Sequence, residues 1–227
     1  MGSIRSINGD PIAVKICGLT QADQAVAIAR MGVSALGFIC VPNSRRYIPP
    51  SAIASICQQL PEGVLTVGVV ANPTLAALED LIHRSQVQAI QLHGDESPAF
   101  CEQVQQQYPN LQVIKALRVK SKETLEAIPA YVPHVSRLLL DAYHPQQLGG
   151  TGAPFDWRLL QDWQIPCSWW LAGGITPENC RQAVAQTRPH GLDLSSGVEI
   201  SPGIKDLGRV AALLHALGIN ADHPLHS

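Results

Sequence analysis

Ile12-Ala13-Val14-Lys15-Ile16-Cys17, followed directly by Gly18-Leu19-Thr20, is an apolar β-rich segment with one lysine inside it and a thiol at its end. Side chains alternate along a strand, so Val14 and Ile16 face one way while Lys15 and Cys17 share the other face. Seven further segments of the same character follow: Ser34–Cys40, Val64–Val70, Ala89–His93, Gln112–Leu117, Ser136–Asp141, Ser168–Ala172 and Gly191–Ser195. They start 22 to 32 residues apart, room each time for one strand, one helix and two loops. Helix-start signals lie between them: Thr20 before a run to Met31, Pro73-Thr74 before Leu75–Arg84, and Ser97-Pro98 before Ala99–Gln107. Asp156 is placed to cap a short helix, and Thr176-Pro177 to supply an N-cap and N1 proline for Glu178–Gln186.

Near-continuous apolar strands alternating with helices imply parallel pairing covered on the outside by those helices. Eight such units in about 200 residues or slightly more predict an α/β fold, a single (β/α)8 TIM barrel with parallel strands. The competing open, doubly wound sheet usually carries G-x-G-x-x-G after its first strand, and Cys17-Gly18-Leu19-Thr20 is not that motif. The expectation is one domain over 1–227, with 1–10 and 220–227 as flexible tails.

The chain has 46% hydrophobic and 15% charged residues, a composition that folds around a large core. Its formal net charge of -2 offers no counterion release to DNA or RNA, so nucleic acid is not expected as a partner. No run approaches 18 apolar residues and residues 1–10 lack a signal-peptide core, so a cytoplasmic protein without membrane partners is expected. Cysteines 17, 40, 57, 101, 167 and 180 form no C-x-x-C pair, which suggests reduced thiols and no metal site.

The parity that places Lys15 and Cys17 inside the barrel also places Asp193 and Ser195 there. Strands one and eight are neighbours in a closed barrel, and an unpaired interior charge is costly, so a Lys15–Asp193 contact is predicted. Gln91, His93, Lys115, Leu139 and Asp141 are read as interior by the same reasoning. Gln91 and Lys115 fit either a hydrogen-bonded plug or a site. Cys17 and Asp141, each the last residue before a loop, fit catalysis at the C-terminal rim. Glycine-bearing loops follow strands six, seven and eight: Gly149-Gly150-Thr151-Gly152, Gly173-Gly174 and Ser195-Ser196-Gly197. Exposed backbone amides after strands seven and eight are the recurrent phosphate site of this fold.

The ordered set of motifs resembles the phosphoribosylanthranilate isomerase family of tryptophan biosynthesis, from about Val14 to Asp206. The motifs are Val14–Thr20, Gly37-Phe38 with Ser44-Arg45-Arg46-Tyr47-Ile48, Gln91-Leu92-His93-Gly94, and Leu139-Leu140-Asp141. Further along come Gly149–Gly152 with Phe155-Asp156-Trp157, Leu171-Ala172-Gly173-Gly174 with Pro177-Glu178-Asn179, and Asp193–Glu199. The resemblance implies a cofactor-free Amadori rearrangement of a phosphorylated aminosugar, N-(5-phosphoribosyl)anthranilate, to 1-(2-carboxyphenylamino)-1-deoxyribulose 5-phosphate. This is an aldose–ketose isomerisation, an intramolecular oxidoreduction.

By motif position Asp141 resembles the general acid at the ring oxygen and Cys17 the general base at C2. Arg46 resembles the residue that meets the anthranilate carboxylate. Gly150, Gly173, Gly174, Asp193, Ser195 and Ser196 fall in the substrate site, with Lys15, Gln91 and His93 in support. A nearby Lys15 ammonium would favour the Cys17 thiolate, and a partly apolar rim would favour a protonated Asp141. Monomers and homodimers both occur in the resembled family. Two other readings fit the residues: a barrel enzyme with Lys115 as a Schiff-base lysine, and a non-catalytic phosphosugar-binding barrel.

Overall fold

The computed structural model describes residues 4–6, 9–119, 121–142, 157, 160 and 163–219. The Gly149–Gly152 loop with Gly150, the Asp156 cap and the segment 220–227 lie outside the described residues. Eight strands form one closed parallel barrel in sequence order: β1 (Ala13–Cys17), β2 (Ala35–Ile39), β3 (Leu65–Val70), β4 (Ala89–Leu92), β5 (Gln112–Val119), β6 (Arg137–Ala142), β7 (Trp169–Ala172) and β8 (Gly191–Leu194). β1 closes on β8 with Lys15 opposite Asp193. The helices include α1 (Ala22–Arg30), α2 (Pro50–Cys57), α3 (Leu75–Ser85), α4 (Pro98–Gln107), α5 (Lys122–Glu126), α6 (Ile128–Tyr131), α7 (Cys180–Thr187) and α8 (Leu207–Leu217).

Two apolar clusters follow from strand alternation. Val14, Ile16, Leu36, Phe38, Ile90, Leu92, Leu192 and Leu194 point outward and pack beneath the helices. Ala35, Val67, Ala89, Ile114, Ala116, Leu139, Trp170 and Ala172 fill the interior. Small residues on most strands leave room there for Trp170, which is buried. This interior cluster corrects the reading of strand five. Ile114 and Ala116 face inward, so Lys115 between them faces outward, toward α4. The run Val113–Leu117 has no polar alternation to mark its inner face, and the charge of Lys115 gave the wrong parity.

Caps explain several helix starts and correct others. Thr74 Oγ1 accepts from Ala77 N at 3.2 Å and Ser97 Oγ from Phe100 N at 3.2 Å, satisfying first-turn donors as expected. Thr20 caps nothing; its hydroxyl donates to the Gly203 carbonyl at 2.8 Å, and α1 begins after Gln21. Nor does Thr176-Pro177 open α7, which starts at Cys180 after Asn179. Beneath the barrel, Ile4 N donates to the Leu217 carbonyl at 3.0 Å, and Ser6 N to that of Asp10 at 2.7 Å.

Gly191 enters β8 beside Trp170. An added Cβ there would lie 2.6 Å from the indole ring and 2.9 Å from the Ala13 carbonyl oxygen. Overpacking of this kind typically costs about 1–3 kcal/mol. Gly191→Ala is therefore expected to lower the urea midpoint by a corresponding amount, with the slope of the transition unchanged; an unshifted midpoint would show that this part of the interior is loosely packed.

Candidate active site

The C-terminal ends of the strands surround a cavity of about 260 Å³, lined among others by Cys17, Arg46, Gln91, His93, Asp141, Gly173, Gly174, Asp193, Ser195 and Ser196. Lys15, directly beneath, has no solvent exposure. Its Nζ donates to both carboxylate oxygens of Asp193 and to Gln91 Oε1, each at 3.0 Å. Burial works against an ammonium, but Asp193, and secondarily Cys17, hold Lys15 above its ordinary value. The expected Lys15–Asp193 contact is therefore the centre of a polar layer between the apolar interior and the cavity.

Cys17 is buried at the end of β1. Its neighbour on β2 is Gly37, where a Cβ would come within 2.7 Å of the thiol and 3.0 Å of Lys15 Nζ. Glycine at 37 makes space for both groups. Burial pushes the Cys17 thiol above its ordinary 9.0; Lys15 pulls it down but does not offset the burial, and Asp193 adds to the rise. The expected thiolate-favouring influence of Lys15 is present as the smaller of two opposing effects.

Asp141, at the end of β6, is partly exposed, and its Oδ2 lies 3.3 Å from His93 Nε2. His93 Nδ1 in turn lies 2.8 Å from Gln91 Nε2. Ile39, Val69, Ala172 and Ile175 supply the apolar part of the wall.

Arg46 reaches the rim from the loop after β2. It crosses Gly18, whose φ is +78° and where a Cβ would lie 2.6 Å from Arg46 Cδ. Its Nε and Nη2 form a bidentate pair with Glu199, with contacts of 2.9, 3.2 and 2.7 Å. Glu199 also accepts from Lys205 Nζ at 2.6 Å, and Arg46 and Lys205 together hold its carboxylate below the usual range despite burial. Lys205 donates as well to the carbonyls of Cys17 (2.5 Å) and Ser195 (3.5 Å), joining the ends of β1 and β8.

The loops after β7 and β8 pack closely. Gly173 and Gly174 have φ of +90° and +65°, conformations rarely open to other residues. Asn179 Nδ2 donates to the Gly174 carbonyl and its Oδ1 accepts from Thr176 N, both at 2.8 Å, pinning this turn. At Gly197 a Cβ would sit 1.9 Å from the Ile175 carbonyl oxygen, so only glycine permits this approach of the two loops.

Thus Cys17, Arg46, Gln91, His93, Asp141, Gly173, Gly174, Asp193, Ser195 and Ser196 converge on one cavity, with Lys15 beneath it. Lys115 does not join them. Its Nζ donates to Glu96 at 2.7 Å, to the Gly94 carbonyl at 2.8 Å and to that of Leu92 at 3.2 Å, all behind the sheet. A buried, paired ammonium facing away from the cavity cannot serve as a Schiff-base nucleophile for a ligand there, which removes that reading.

The sequence reading missed Glu199 and Lys205 as rim residues. The lysine in the short Ile204-Lys205 strand, paired with Glu199–Ser201, was their signal. It also missed Arg118, which shares the inner face of β5, stands opposite Asp141 and donates to the His93 carbonyl at 3.3 Å.

Fold and cavity define a (β/α)8-barrel protein whose C-terminal rim carries a thiol, an imidazole and carboxylates around one cavity. The sequence matches the family model described as N-(5'-phosphoribosyl)anthranilate (PRA) isomerase over residues 14–216. A relative from Thermosynechococcus vestitus, an N-(5'-phosphoribosyl)anthranilate isomerase, is 68% identical over 215 residues, covering 95% of this chain and 94% of that one. The phosphoribosyl anthranilate isomerase of Thermotoga maritima superposes with a TM-score of 0.83 at 34% identity, over 91% of this chain and 98% of that one. A phosphoribosyl anthranilate isomerase in complex with reduced 1-(o-carboxyphenylamino)-1-deoxyribulose 5-phosphate superposes with a TM-score of 0.80 at 32% identity, over 91% of this chain and 98% of that one. The chain belongs to the N-(5'-phosphoribosyl)anthranilate isomerase family.

The environment of Cys17 generates a test of its own. With the thiol raised above 9.0, little thiolate exists at neutral pH. Alkylation of Cys17 by iodoacetamide, followed by peptide mass spectrometry, is expected to keep accelerating as pH rises past about 9, because the thiolate is the nucleophile. A rate already level between about pH 7 and 8 would mean that Lys15 outweighs burial.

Proposed function

We propose that the chain catalyses the Amadori rearrangement of N-(5-phosphoribosyl)anthranilate to 1-(2-carboxyphenylamino)-1-deoxyribulose 5-phosphate in tryptophan biosynthesis, without a cofactor. The carrying observation is that a thiol and a carboxylate, at the ends of β1 and β6, line the same cavity between glycine-bearing loops. The relatives' names and the liganded neighbour support the choice of substrate.

In this reading Asp141 protonates the furanose ring oxygen. The ring C–O bond breaks toward that oxygen while the anilino nitrogen's lone pair forms the C=N of a Schiff base. Cys17, as thiolate, removes the C2 proton to give an enolamine, which tautomerises to the ketone. Lys15 stabilises the thiolate when it forms, and its pairing with Asp193 keeps it charged. Backbone amides around Gly174, Ser195 and Ser196 take the phosphate, where the close loop packing leaves little freedom to be lost on binding. Glu199 occupies the Nε/Nη2 edge of Arg46, which leaves the Nη1 side for the anthranilate carboxylate; no hydrogen bond from Nη1 occurs among the described residues.

Loss of substrate fluorescence on mixing with purified protein reports the turnover. Cys17→Ser and Asp141→Asn are each expected to lower kcat by about 10²–10⁴-fold, the usual contribution of an acid–base group, with substrate affinity little changed. Near-normal turnover in either variant would remove its assigned role. Binding without turnover in the unmodified protein would favour the phosphosugar-binding reading instead.

A further inference from the structure

A hydrogen-bonded chain crosses the polar layer from one side of the barrel to the other: Asp193, Lys15, Gln91, His93, Asp141. Most protein hydrogen-bond chains can reverse direction, because hydroxyls, amides and imidazoles each have groups that donate and groups that accept. This one begins at a group that cannot. An ammonium only donates, and its partners here are both oxygens of Asp193, one atom of Gln91 and the Cys17 thiol.

The Gln91 atom facing Lys15 must therefore be Oε1. Turning the amide over would set an N–H against the ammonium, in a place with no solvent exposure for either residue. With Oε1 fixed, Nε2 faces His93 Nδ1 at 2.8 Å. An amide nitrogen donates, so Nδ1 must accept, and the neutral ring then carries its proton on Nε2. That nitrogen lies 3.3 Å from Asp141 Oδ2.

We infer that Lys15 and Gln91 act as positioning residues that set the tautomer of His93, so that His93 Nε2–H donates to the carboxylate of Asp141. The inference rests on the reading of Asp141 as the general acid and gives that acid its partner. When the Asp141 O–H bond breaks, its proton passes to the ring oxygen of the sugar and its electron pair stays on the carboxylate. A donor already aimed at Oδ2 meets the charge as it develops, and Oδ1 is left as the oxygen that carries the proton. Such a bond strengthens along the reaction, so its loss should appear in kcat and hardly in KM.

The test is long-range ¹H–¹⁵N correlation NMR on the full chain labelled at its 8 histidines, with His93 identified by its absence in His93→Gln. Spectra are recorded at about pH 8, where an ordinary imidazole is neutral. The wild type is expected to show a pyridine-type Nδ1 and a pyrrole-type Nε2 for His93. In Gln91→Glu the carboxylate accepts from both Lys15 and His93, so the ring proton moves to Nδ1 and kcat falls by roughly ten- to a hundredfold, the range for a hydrogen bond to a charged group. Gln91→Met, which burdens the layer with no added charge, is expected to show both tautomers.

A wild-type ring protonated at Nδ1 overturns the inference. So does an Nε2-protonated ring that persists unchanged in Gln91→Glu and Gln91→Met. If the tautomer moves while kcat does not, the link from His93 to the acid is overturned; Asp141→Asn then shows where the failure lies. An inactive Asp141→Asn leaves Asp141 as the acid without help from His93, and an active one overturns the reading of Asp141 itself.

Discussion

The Lys15 ammonium, closed off from solvent and held by both oxygens of Asp193 at 3.0 Å, is the interaction on which the rest of the rim is built. It spans the seam where β1 closes on β8, so it fixes the register of the closing pair as well as a charge. Apolar residues below it fill the barrel, and the cavity opens above it. Its pull on the Cys17 thiol, its grip on Gln91 and the absence of a side chain at Gly37 all follow from placing a cation at that level. Stability alone does not explain such a group, since a buried ion pair is often matched or exceeded by apolar residues of similar volume, whereas removing one partner costs about 3–5 kcal/mol.

Two other buried lysines repeat the device near the C-terminal ends of the strands. Lys205 ties the last carbonyl of β1 to the loop after β8 and, through Glu199, to Arg46. Lys115 lies behind the sheet with Glu96, whose carboxylate also accepts from Asn72 N at 2.7 Å and Gly94 N at 3.0 Å, so the loops after β3 and β4 are joined there. Each ammonium has its donors turned on carboxylates and strand-end carbonyls. The rim is thereby held by charge-assisted bonds, which suits a site whose loops have little apolar surface to pack.

Much of this was legible in the residues. Regular spacing of the apolar segments implied the barrel, and the two-residue period of Val14–Cys17 and Leu192–Ser195 implied the Lys15–Asp193 pair, because a charge facing a dry interior needs a partner. The glycines after β7 and β8 were read as a phosphate cradle, and the close packing of the two loops at Gly197 was not foreseen. Strand five failed for a physical reason: both of its faces are buried and apolar, so period alone could not say which side was inner, and Lys115 was free to find Glu96 behind the sheet. Arg118 was lost because the strand was read as ending at Leu117, whereas β5 runs on to Val119. The Thr20 cap failed because its hydroxyl is used by Gly203, 183 residues away, a contact that no local pattern records. The Arg46–Glu199–Lys205 cluster likewise depends on loops that meet only once the barrel has closed.

The central claim is that the Lys15–Asp193 pair is kept for the site it organises. It is tested most directly by comparing Lys15→Met, Asp193→Leu and the double variant for urea stability and turnover. Each single change is expected to lose about 3–5 kcal/mol, since each strands a buried charge. The double variant is expected to regain most of that stability while turnover stays lost. A double variant that folds well and turns over at near wild-type rate would contradict the account.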